Sequence, residues 1–144
     1  MKRRLIALLA VVGLSAGLLM GCTPQPQNKG GDVAGLQGSW VLASWSDALA
    51  LPSAPITLVI SGSGVSGNGG CNAYTSDFTA SADGAFLPGG VAVTAMLCTD
   101  DAVNQAEAKY LQLFSAVDSW RMDGASLVLF SKTGDQTLTY SRGA

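Results

Sequence analysis

From Gly38 onward the chain is divided into short apolar runs by turn residues, a rhythm that only antiparallel sheets, sandwiches and barrels satisfy easily. Ile56-Thr57-Leu58-Val59-Ile60 is the clearest run: Ile56, Leu58 and Ile60 point one way, as in a half-buried strand. Trp40 to Trp45 reads as an earlier strand, with Trp40 and Leu42 on one face and Trp45 on the other. Further strands are expected at Ala73 to Ala80, Gly84 to Leu87, Val91 to Thr94, Ser119 to Met122, Leu127 to Ser131 and Thr137 to Ser141. Ser61-Gly62, Asp83-Gly84, Pro88-Gly89-Gly90, Asp123-Gly124 and Thr133-Gly134-Asp135 mark turns between them.

One segment departs from this rhythm. Val103, Ala106, Tyr110, Leu113, Phe114 and Val117 recur at three- and four-residue steps, which predicts an amphipathic helix over 100–117. Thr99 or Asp100 can cap it, and Asp100 with Asp101 suits the positive end of its dipole. The expected fold is therefore mainly β (α+β): a small curled antiparallel sheet or barrel of about eight short strands. The one helix would plug or cover an open end, its Tyr and Phe serving the core.

The N-terminus carries an address. Lys2-Arg3-Arg4 precedes an apolar stretch of about 16 residues, shorter than the roughly 20 a spanning helix needs, so a signal peptide is expected at 1–21. Leu19-Met20-Gly21-Cys22 resembles the lipobox of bacterial lipoproteins, which implies that Cys22 becomes the first mature residue and carries the lipid, palmitate included. Thr23 to Gly31, with two prolines and a glycine pair, reads as flexible tether; the expected organisation is tether over 22–35 and one domain over 36–144. Thr23 after the lipidated cysteine favours the outer membrane facing the periplasm in a two-membrane bacterium.

Removing residues 1–21 from the 144 leaves 123, enough for one core. Lys29, Lys109, Arg121, Lys132 and Arg142 then stand against ten acids, a net charge of −5. No basic patch remains for phosphates, so nucleic acid is an improbable partner and membrane attachment rests on the lipid. The expected partners are the membrane through Cys22 and an envelope protein or small ligand.

Gly67-Asn68-Gly69-Gly70-Cys71-Asn72-Ala73-Tyr74 is the most distinctive run. Gly and Asn tolerate positive φ, so Gly67, Asn68, Gly70 and Asn72 are read as a tight left-handed path leading into the strand at Tyr74. No Walker-type Lys-Ser/Thr follows, which argues against phosphate binding. With Cys22 lipidated, Cys71 and Cys98 are the even pair that one disulfide requires in an oxidising compartment. Closing that loop would add about 3–4 kcal/mol in the chain-entropy model. Free buried thiols are the alternative, while two thiols without histidine make a poor zinc set.

Gly38-Ser39-Trp40, Trp45, Pro55-Ile56-Thr57-Leu58, the Gly67–Tyr74 run, Thr94-Ala95-Met96-Leu97-Cys98, Glu107, Tyr110-Leu111 and Trp120 follow one another in an order that resembles META domains, the family of the heat-inducible HslJ lipoprotein. The resemblance spans about Leu36 to Tyr140. It implies a small curled sheet or barrel with one helix, and an envelope role in stress or antibiotic tolerance, with no catalytic residues to carry over.

The chain contains no histidine, which removes the usual general base, zinc ligand and nucleophile partner. Asp83, Asp123 and Asp135 sit in turn sequences. Glu107, the single glutamate, would either face the Gly-Asn loop and accept its amides or be solvated, the solvated reading being preferred. The expectation is a non-enzyme without metal or cofactor. A lysozyme-inhibitor-like role is the alternative, with Ser61 to Asn72 as the loop that would enter a cleft.

Overall fold

A computed structural model of the chain describes residues 30–144; the segment expected to be a signal peptide, Cys22 and the expected tether up to Lys29 lie outside the described residues. After a short 3₁₀ turn at Val33–Leu36, nine strands follow: β1 Gly38–Trp45, β2 Thr57–Ser61, β3 Gly64–Asn68, β4 Ala73–Ala80, β5 Phe86–Pro88, β6 Ala92–Val93, β7 Val117–Asp123, β8 Ser126–Ser131 and β9 Thr137–Arg142. One helix, α1 at Asp101–Ser115, joins β6 to β7. The strands form one antiparallel sheet in the order β5-β4-β3-β2-β1-β9-β8-β7, with β6 also on β4.

The sheet curls until its two edges nearly meet. Ala85 forms a bridge to Ser119, and the Trp120 amide donates to the Gly84 carbonyl at 2.8 Å. Ordered structure begins before residue 36: the Gly30 amide donates to Trp120 O at 2.7 Å and Gly31 to Ala82 O at 3.2 Å, so the chain enters along this seam. Leu36 is fully buried and its carbonyl accepts from the Trp40 indole at 2.8 Å. Arg142 stacks 3.9 Å from the Trp40 ring centroid and donates to Gln37 O and Gly35 O, closing that end of the barrel.

The opposite end is closed by α1. Asp100 caps it by accepting from the Ala102 amide at 2.9 Å, and Asp101 lies in the first turn, where the helix dipole favours an acid. Val103, Ala106, Tyr110, Leu113 and Phe114 are buried. Phe114 meets Tyr74 and Phe86 edge-on or tilted, with centroids 5.7 and 6.4 Å away, distances at which aromatic pairs attract beyond simple burial. Val117 belongs to β7 rather than the helix, which turns out at Ala116.

Three expectations are corrected. β3 was hidden because Gly64-Val65-Ser66-Gly67-Asn68 offers a single apolar residue; Val65 alone is buried, and pairing to Val59–Ser61 and Ala73–Asp77 holds the strand in place. Ser61 to Asn72 is consequently no projecting loop. Trp45 does not face away from the core, because a bulge at Ala43 shifts the register so that Trp45 stands opposite buried Leu138 and packs on the core.

Candidate functional site

Glu107 lies on the same helical stripe as Val103 and Tyr110, four residues after one and three before the other, and points into the barrel mouth. It is 7% exposed. Its Oε2 accepts from the Cys71 amide at 3.1 Å and the Asn72 amide at 2.5 Å, and its Oε1 accepts from Asn72 Nδ2 at 2.7 Å. The solvated reading of Glu107 is thus overturned. A carboxylate among three N–H donors has its charge met by charge-assisted bonds, which is how an acid is tolerated inside.

Asn72 extends the clasp to a second segment. Its Oδ1 accepts from Met96 N at 2.7 Å and Thr94 Oγ1 at 2.9 Å, and its Nδ2 also reaches Met96 O at 3.3 Å. Cys71 and Cys98 are joined as a disulfide with Cα atoms 6.2 Å apart. Asn104 Nδ2 donates to Cys98 O at 2.9 Å. Helix α1, the Gly-Asn run and the 94–98 loop are therefore fastened at one point by two chemistries.

The glycines of the run act mainly by their size. Gly67 and Asn68 lie in extended β3, and only Gly70 takes a left-handed φ, at 115°. A Cβ on Gly67 would stand 2.0 Å from Thr57 O and 2.8 Å from the Tyr74 ring and hydroxyl; one on Gly69 would meet Glu107 at 2.9 Å. The left-handed reading holds for one residue, and close approach explains the others. Gly67→Ala, which presses a methyl onto backbone, is expected to destabilise the domain by about 3 kcal/mol or more. Urea unfolding measures this, and a loss under about 1 kcal/mol would refute the crowding argument.

Tyr74 stands beside this clasp and begins a buried hydroxyl chain. Its OH donates to Thr57 O at 2.8 Å and lies 2.6 Å from Tyr110 OH, which is 3.1 Å from Tyr140 OH. Burial, with the neighbouring phenols, pushes all three hydroxyls well above the usual phenol range. Tyr74, Thr57, Thr94 and Tyr110 all stand in the runs that carry the family resemblance, whereas the bonds of Thr57 to Tyr74, of Thr94 to Asn72 and of Tyr110 to Tyr140 have no motif of their own. For the hydroxyl chain the sequence signal is a tyrosine at an inward strand or helix position, where its hydroxyl must find a partner. Among the described residues no cluster of three His, Cys, Asp or Glu could hold a metal ion.

These features define a class of protein: small helix-capped antiparallel barrels whose polar interior is bonded to itself. A model of the META domain family matches residues 33–143. The chain belongs to the META domain family. It is similar to a protein from Burkholderia xenovorans solved by NMR, with 30% identity over 75% of this chain and 83% of that one, at a TM-score of 0.62. A second NMR structure of a protein matches at 21% identity over 74% and 89% of the two chains, with a TM-score of 0.57. A DUF4847 family protein from Bacteroides vulgatus shares the fold at 8% identity, covering 75% and 94%, with a TM-score of 0.54. No curated protein matches the chain.

Proposed function

We propose that this chain is a non-catalytic envelope lipoprotein, anchored through lipid on Cys22, whose META domain binds another envelope component and supports the envelope under stress or antibiotic challenge. The observation that carries the non-catalytic reading is the commitment of Glu107: both oxygens of the one buried carboxylate are already held by Cys71 and Asn72. A general base or nucleophile partner must be free to meet substrate, and this one is used to hold a loop. The lipobox-like Leu19-Met20-Gly21-Cys22 supports the anchor, and a lipid chain suits an acidic domain with no basic surface for lipid headgroups.

Cys22→Ser tests the anchor. In cells grown with labelled palmitate, the wild-type chain is expected to take up label and to shift to a processed size, and the variant to do neither. Equal labelling of the variant would end the lipoprotein reading.

A further inference from the structure

We propose that the outer edge of β6 and the loop continuing it, Val93 to Leu97, dock an extended segment of a partner protein that is apolar at alternate positions and carries Lys or Arg at both ends. This rests on the binding role proposed above and names its surface.

The backbone points to a strand as the occupant. β6 pairs with β4 through Tyr74↔Val93 and Thr75↔Ala92, and the Thr94 amide donates to Ala73 O at 3.0 Å. In an antiparallel ladder, bonded and non-bonded positions alternate. Val93, between Ala92 and Thr94, therefore turns its N–H and C=O away from β4. The seam is closed at the other end of the barrel, by Gly84, Ala85, Ser119 and Trp120, and among the described residues no strand pairs with this outer side. An unpaired edge of this kind is the template for strand addition.

The side chains point the same way. Edges are blunted by brevity, charge or proline; β6 has only two residues, but Val91 to Thr99 carries neither charge nor proline. Met96 is 60% exposed and Leu97 fully so. They are held out on a loop fixed by Asn72 at Met96, by Asn104 at Cys98 and by the disulfide. The ordering cost of binding is thus met in the fold, which is the property of a preorganised anchor.

Charge selects the partner. A shallow hollow of about 320 Å³ beside Ala92 includes Asp77, and Asp100 with Asp101 follows just beyond Cys98, so acids flank both ends of the edge. Of the four described cations, Lys109 is paired with Asp47, Arg121 and Arg142 stack on Phe130 and Trp40, and Lys132 lies in the turn between β8 and β9. Basic ends on an added strand complement this pattern. A second copy added antiparallel would bring acids against acids. The bilayer is disfavoured as well, because the chain enters the domain at the opposite end of the barrel, by Ala82 and Gly84.

The test uses the full-length lipidated protein in detergent and a labelled synthetic peptide of alternating valine and threonine with lysines at both ends. Binding is expected, weakened by salt, and reduced about tenfold or more by Leu97→Asp or by a proline at the peptide's centre. Asp101→Lys is expected to shift preference toward a glutamate-ended peptide. Leu97 touches nothing it must support, and an unchanged disulfide and tyrosine spectrum will confirm that Leu97→Asp folds. Equal binding by wild type and Leu97→Asp overturns the proposal, as does a dimer, or adsorption to phosphatidylcholine vesicles, that Leu97→Asp abolishes in place of peptide binding. If these arms fail while crosslinking from other surface positions in cells still captures one reproducible envelope partner, the binding role stands and this surface does not.

Discussion

Glu107→Ala is expected to destabilise the domain by about 3–5 kcal/mol, because it leaves the buried amide of Asn72 and the half-buried amide of Cys71 without an acceptor, at about 1–3 kcal/mol each, and opens space under the loop. Set against the roughly 5–15 kcal/mol that holds a domain of this size together, the variant should lie near the edge of folding. Glu107→Gln keeps the shape but turns a donor toward donors, so a smaller loss of about 1–3 kcal/mol is expected. Asn72→Ala releases Met96, Thr94 and Glu107 together. The two alanine substitutions should therefore be strongly non-additive, with a coupling energy of about 1–3 kcal/mol. Urea denaturation of the four chains, with the disulfide intact, measures it. Additivity within about 0.5 kcal/mol would mean that the clasp is no unit.

The second large effect is alkaline unfolding. All three tyrosines of the chain are buried in one hydroxyl chain, and their folded pKa values are raised by burial. A raised pKa means that the native state keeps protons which the unfolded chain releases above about pH 10. The associated stability is complete below that pH and is lost as pH rises, by about 1.4 kcal/mol per tyrosine per pH unit, or roughly 4 for the three. About two to three units above pH 10 thus consume the stability of an ordinary domain. Tyrosinate absorbance should stay silent and then appear in one cooperative step with loss of the near-ultraviolet circular dichroism. Tyrosines that ionise one at a time in a domain with unchanged dichroism would refute the buried chain.

Much of the fold is legible in the residues, and the gaps have physical causes. Ala73 to Ala80 was readable to the residue because its inward positions, Tyr74, Ser76 and Phe78, alternate cleanly with outward ones. Thr99 and Asp100 mark the helix start, and the structure takes Asp100 as the cap. β3 was obscured because its place depends on neighbours rather than on its own apolar content. Trp45 was misplaced because a bulge adds one residue to the count and reverses every face beyond it.

The clasp was half-legible. Gly67, Asn68, Gly70, Cys71, Asn72 and Tyr74 stood out as a run, and Cys98 as a partner for Cys71. Of the two readings of Glu107, facing the Gly-Asn loop or solvated, its spacing from Val103 and Tyr110 supports the first, because it sets the residue on the buried stripe. A charged residue at a core position announces a polar partner, and that partner, 35 residues away at Asn72, is supplied by folding rather than by pattern.

The seam along which the chain enters gives the molecule a direction of mechanical weakness. Any tension arriving through Lys29 reaches Gly30 and Gly31, whose bonds to Trp120 and Ala82 straddle the two edges that Ala85 and Ser119 join. Such a pull opens the barrel like a zip from one end. It loads these few bonds one after another, and the continuous ladders of β1 to β4 are spared. Beyond them Leu36, buried beneath Trp40, must be drawn from the core before the strands feel the load. The helix, the clasp and the disulfide lie at the far end and are the last parts to be strained.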